Sequence, residues 1–169
     1  MTKILSFLAI SFFSTLLFSK EPLIATLNSV HSNEIQQFNI GKSNFYCRPY
    51  GIVSIEKLYL NSAFDSTCKR EIKDFYLKNP QSKYFANSIF KVKQSYHIEF
   101  KENSCVIYTH GGKSYAEVLI SNGLATRKIL FNDKEFKGSF IKAQERAKRA
   151  KLGLWNNKIV RECIVELYK

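Results

Sequence analysis

The chain has 169 residues, a formal net charge of +12, and 45% hydrophobic against 24% charged residues. The length favours one domain, and the composition excludes a disordered or low-complexity chain. The positive excess selects for polyanionic partners such as nucleic acid or an anionic membrane surface, against the plainer reading of a basic exported protein with no specific partner.

In chain order, residues 1–19 predict a secretory signal peptide. Lys3 precedes an apolar run from Ile4 to Phe18, and Ser19 supplies a small residue for cleavage. The run is short and serine-rich for a spanning helix. An uncleaved anchor is the alternative, and in this reading it is the one route to a membrane. Residues 20–169 then form the exported domain, periplasmic or secreted. Cys47, Cys68, Cys105 and Cys163 all lie within it. An even count in an exported chain predicts two disulfides, with three pairings open. Their wide separation does not suit a zinc site.

Leu23–Leu27 and Ile35–Ile40 read as strands, and Gly41-Lys42-Ser43 as the turn into a third, Asn44–Cys47. Asn61–Lys78 predicts a helix capped by Asn61 or Ser62. Phe64, Cys68, Ile72, Phe75 and Tyr76 recur on one face, and Asn79-Pro80 stops it. Ile89–Phe100 and Cys105–Thr109 alternate as strands, with a tight turn at Gly111-Gly112. Ser114–Asn122 predicts a second helix ended by Gly123. Glu135–Leu152 predicts a third, with Phe136, Phe140, Ala143, Ala147 and Ala150 as its buried stripe and Gly153 as its stop. Trp155 is placed to fold back onto the core. Ile159–Tyr168 reads as an extra strand or docked tail. Strands, a helix, strands and two helices fit a small β-barrel with helices packed on it, in a single domain.

The third helix is densely basic. Lys142, Arg146, Lys148 and Arg149 are candidates for tracking phosphates, against a solvated face of good helix formers. His97 and His110 are candidates to meet across paired strands as a metal or acid–base site, against plain exposed strand histidines. His31 stands apart from both. No zinc-protease, phosphate-loop or nucleophile-elbow motif occurs.

The segment S-Y-A-E-V-L-I-S-N-G-L-A, followed by A-Q-E-R-A-K-R-A-K-L-G-L-W, resembles the C-terminal half of the staphylococcal-nuclease-like (thermonuclease) family. Cys47–Glu56, C-R-P-Y-G-I-V-S-I-E, is similar to that family's R-L-x-G-I-D-A-P-E strand. The resemblance implies a mainly β fold with α, a five-stranded OB-fold barrel carrying three helices. It implies calcium-assisted phosphodiester hydrolysis, with calcium as cofactor if the chain is active and none otherwise. Arg48 falls on a catalytic arginine and Glu56 on the catalytic glutamate. Ser54 takes the position beside the metal, and Glu34 is a poor stand-in for a metal-binding aspartate.

Three positions depart from the family. Val53 stands where a metal-binding aspartate is expected, Ile55 replaces a proline, and Asn103 occupies the second arginine position. Losing one transition-state donor typically costs about two to three decades in rate. The resemblance with these departures implies an exported domain of weak or absent activity that binds nucleic acid or another polyanion. One alternative is an active calcium-dependent nuclease with ligands reassigned to Glu34, Glu56 and Asp65. The other is a non-enzymatic envelope interaction domain. Arg48 and Glu56 as a buried ion pair is the structural reading of the same two residues.

Overall fold

The computed structural model describes residues 22–64, 66–155 and Cys163. The expected signal peptide, Asp65 and the C-terminal strand or tail lie outside these residues, Cys163 excepted.

Five strands form one antiparallel sheet: β1 (Leu23–Val30), β2 (Gln36–Ile40), β3 (Ser43–Cys47), β5 (Ser95–Lys101) and β6 (Ser104–Ile107). Their order is β3-β2-β1-β5-β6. Three of them bury alternate residues, as a half-covered strand does: Ala25 and Leu27 on β1, Gln36 and Phe38 on β2, Tyr96 and Ile98 on β5; β6 buries Cys105, Val106 and Ile107 in succession. The β1–β2 register shifts between Leu27 and Ser29, an irregularity that bends a strand pair. The sheet curls until its two edges meet. Cys105 donates its N–H to the Arg48 carbonyl at 2.8 Å, and Tyr50 N–H donates to the Cys105 carbonyl at 3.0 Å. Cys47 and Cys105 are disulfide-bonded at the same corner, so the barrel is closed there covalently. A second disulfide joins Cys68 to Cys163, and no cysteine is free.

Two further strands, β4 (Ile52–Ser54) and β7 (Ala125–Arg127), pair antiparallel beside the barrel. β4 lies inside the segment similar to the family's strand, whereas β7 was not legible in the sequence, because it is three residues long.

The helix expected over Asn61–Lys78 starts only at Thr67, and a separate helix that was not expected precedes it. Helix α1 (Ile55–Asn61) begins at Ser54, whose hydroxyl accepts from Lys57 N–H; α2 (Thr67–Lys78) begins at Ser66, whose hydroxyl accepts from Lys69 N–H. Serine caps compete with helix continuation, and Ser62 and Ser66 bracket the break. Phe64, expected on the buried face, lies in that break and is exposed. Cys68, Ile72 and Phe75 bury as expected, while Tyr76 is half-buried. Short helices α3 (Pro80–Lys83) and α4 (Ala86–Ile89) follow. The strand expected from Ile89 therefore starts only at Ser95.

Helix α5 (Tyr115–Ser121) is capped by Ser114 and ends at Asn122 and Gly123. Helix α6 (Lys137–Arg149) buries Phe140, Ala143 and Ala147. Ala150 is exposed, because the helix has ended by that residue. A 3-10 turn, Gly153–Trp155, returns the chain to α5. There Leu154 N–H donates to the Gly123 carbonyl at 2.8 Å. Trp155 packs half-buried against the core. The expected three helices are thus six α-helices and a 3-10 turn among the described residues; the long ones sit where the periodicity placed them.

Candidate functional site

Glu34 lies in the turn between β1 and β2. That turn is held rigidly from below. His31 and Ser32 N–H groups both donate to the Ile35 carbonyl, and the Ser32 hydroxyl accepts from Glu34 and Ile35 N–H. Buried Asn33 donates to the Ser82 carbonyl at 2.7 Å and accepts from Ala86 N–H at 2.8 Å, which ties the turn to α3 and α4. Asn33 was not legible as a site residue, because its partners are about fifty positions away.

Across from this turn, β4 runs into α1. Ser54 ends the strand and caps the helix, accepting from Lys57 N–H while donating its own proton to the Glu34 carboxylate. Glu56 occupies the first turn of α1, where a carboxylate is favoured by the helix dipole. Burial pushes the Glu34 carboxyl above its ordinary value. The Ser54 hydrogen bond and the Lys57 charge oppose that rise, Glu56 adds to it, and Arg48 weakly opposes it. Glu34 thus bonds Ser54 and feels the charges of Lys57, Glu56 and, least, Arg48. Two tyrosines join it that the sequence did not single out. Tyr76 and Tyr115 are held protonated chiefly by burial and secondarily by the charges of Glu56 and Glu34.

The geometry differs from an ion-binding site. Val53 is buried and pairs with Thr126, so its aliphatic side chain fills core where a cation ligand would stand. The Glu34 carboxylate is engaged by the Ser54 hydroxyl. Hard cations require several converging oxygen donors, and the described residues contain no group of three or more His, Cys, Asp or Glu placed to hold a metal. Asn103 is exposed on the turn between β5 and β6. Arg48 is exposed and forms no ion pair among the described residues, so the buried Arg48–Glu56 pair is not formed.

Helix α6 presents its charge unevenly. Lys142, Arg146 and Arg149 line one 500 Å³ groove with Glu117, Glu145 and Ile141. Arg146 lies 3.9 Å from Glu117. Lys148 sits apart, bonded to Glu145 at 3.0 Å and placed over the Trp155 ring. The sequence grouped four basic residues; three share a groove and one is bound back to its own helix and to the 3-10 turn.

His97 and His110 line one pocket of 410 Å³, and His31 lies apart from both. Tyr108, not His110, lies opposite His97, donating its N–H to the His97 carbonyl at 2.9 Å. His110 bonds Gln94 and packs on Tyr96. His31 bonds Ser29 and tilts against Tyr46.

A curled five-stranded antiparallel sheet with helices packed on it, and a carboxylate–serine–glutamate cluster at one strand-to-helix junction, define an OB-type, nuclease-like fold. Residues 81–157 match the family model described as staphylococcal nuclease homologue. The likeness to that family is carried by residues 81–157, from α3 to the 3-10 turn. No curated protein matches the chain.

Proposed function

We propose that this nuclease-related domain is an exported polyanion-binding protein that engages nucleic acid along α6 and has little or no hydrolytic activity. The observation that carries the reading is the division of labour between two regions. At the hydrolytic position a valine and a serine-bonded carboxylate replace an ion's ligands. On α6, three exposed cations line one groove. Phosphate binding needs only the second kind of surface. Export is supported by the two disulfides, which persist in oxidising compartments, and no helix among the described residues is long and apolar enough to cross a membrane.

A second reading, that of an active hydrolase, is favoured by one observation: the charges of Arg48 and Glu56 both reach the Glu34 carboxyl.

Fluorescence anisotropy with a labelled single-stranded oligonucleotide tests the binding claim. The parent is expected to lose affinity steeply as salt rises. The triple variant Lys142→Glu, Arg146→Glu, Arg149→Glu should bind at least roughly tenfold more weakly, with a shallower salt slope, since each lost phosphate contact removes about 0.7 from the slope for single strands. Lys148→Glu alone should change little. Unaltered affinity in the triple variant would remove α6 from the account.

A further inference from the structure

We propose that the surface centred on α1 docks this protein onto an anionic lipid interface, independently of its N-terminal apolar run. Helix α1 stands as a ridge between two grooves. One, of 500 Å³, includes Tyr59 and Leu60 from α1 and Leu77 and Tyr84 from beyond it. The other, of 370 Å³, includes Lys57 and Asn61 from α1 and Ile129 and Leu130 from the loop after β7. Phe64 joins the same region, because Lys69 Nζ sits 5.0 Å from the Tyr59 ring and 6.0 Å from the Phe64 ring.

The apolar side chains on this surface are turned outwards. Leu60 is 67% exposed, Leu77 70%, Phe64 88% and Leu130 92%. Isolated exposed leucines are ordinary, but a cluster of large apolar tips around one ridge marks a contact surface. Lysines are interleaved with them. Lys57 and Lys128 line the second groove, Lys73 and Lys83 the first, and Lys69 lies between. None of the five forms an ion pair among the described residues. Glu56 lines the first groove, and Glu71 and Asp74 lie on α2, so the surface is cationic on balance but not uniformly so.

The pairing of leucine, isoleucine and phenylalanine tips with lysine distinguishes the partner. Protein interfaces are depleted in lysine and enriched in arginine and methionine. A lipid interface takes the opposite mixture: apolar tips enter the acyl boundary, while lysines extend their stems over it and place their ammonium groups among anionic headgroups. Tyrosines such as Tyr59 and Tyr84 suit the same depth.

The full chain should be tested with a position-specific readout, because vesicle sedimentation alone would also register any other inserted segment. In a Leu130→Trp variant, Trp155, half-buried against the core, serves as the internal reference. With vesicles of phosphatidylcholine and phosphatidylglycerol carrying brominated acyl chains, the variant should show quenching beyond that of the parent. Vesicles of phosphatidylcholine alone should not produce it. Adding Leu60→Asp and Phe64→Asp should weaken the partitioning reported by this quenching at least tenfold and leave oligonucleotide affinity unchanged. Lys57→Gln with Lys128→Gln should weaken it by about fivefold per lysine. No quenching beyond the parent, or equal quenching in both vesicle types, would overturn the proposal. A concentration-dependent dimer in ultracentrifugation that Leu130→Asp abolishes would also overturn it, by assigning the face to a second copy of the chain.

Discussion

Three side chains within four residues shape the strand-to-helix junction. Val53 faces the core and is held by pairing with Thr126, Ser54 gives its proton to Glu34 and its lone pair to α1, and Glu56 completes the first helical turn. Glu34 is consequently a structural acceptor. Its ordinary value is 4.5, and burial raises it in the folded chain. The folded state therefore holds the proton more readily than the unfolded state does. The stability contributed by Glu34 is fully present below 4.5 and is lost as pH rises through the raised folded value. Glu34→Gln, which retains an acceptor without the charge, should be at least as stable as the parent at neutral pH and should flatten the parent's decline above pH 4.5. Denaturant titrations across that range check this; a parent that gains stability relative to the variant as pH rises would contradict it.

The long elements were legible because their signals are local. Ser114 caps α5 and Gly123 ends it; Phe140, Ala143 and Ala147 recur at helical spacing on α6. The glycines of the two motifs turn out to serve one contact. Gly123 has φ of +68°, and a Cβ there would meet the Leu152 carbonyl oxygen at 2.1 Å; a Cβ on Gly153 would meet the Gly123 oxygen at 2.4 Å. The end of α5 and the end of α6 thus touch backbone to backbone. Gly123→Ala should cost several kcal/mol, roughly 2–4, combining a disfavoured left-handed conformation with a displaced contact, and thermal unfolding will measure it. A loss under about 0.5 kcal/mol would show that the two helix ends can separate freely. The break between α1 and α2 was not legible. The apolar spacing from Phe64 through Tyr76 suits one helix throughout, but the Ser62 and Ser66 caps leave Phe64 outside α2. The sequence offered a candidate site through the Arg48–Glu56 motif. The wiring of that site was not legible, because Asn33, Tyr76 and Tyr115 act through partners distant in sequence.

At the scale of the molecule, the barrel is closed by a disulfide rather than by strand pairing alone. Cys47 and Cys105 join β3 to β6, and the Arg48 carbonyl is part of the same closure. The second disulfide holds α2 to Cys163. Around this frame lie three candidate surfaces: a compact acid–serine cluster at the β4–α1 junction, a groove on α6 lined by three basic and two acidic side chains, and an apolar, lysine-studded ridge on α1. The central claim is that the fold keeps a polyanion-binding surface while its hydrolytic centre has become structural. The most direct measurement is cleavage of single-stranded DNA by the mature protein in calcium, with and without chelator. The account predicts salt-dependent binding with no chelator-sensitive cleavage, unchanged in Glu56→Gln; chelator-sensitive cleavage that disappears in Glu56→Gln would contradict it.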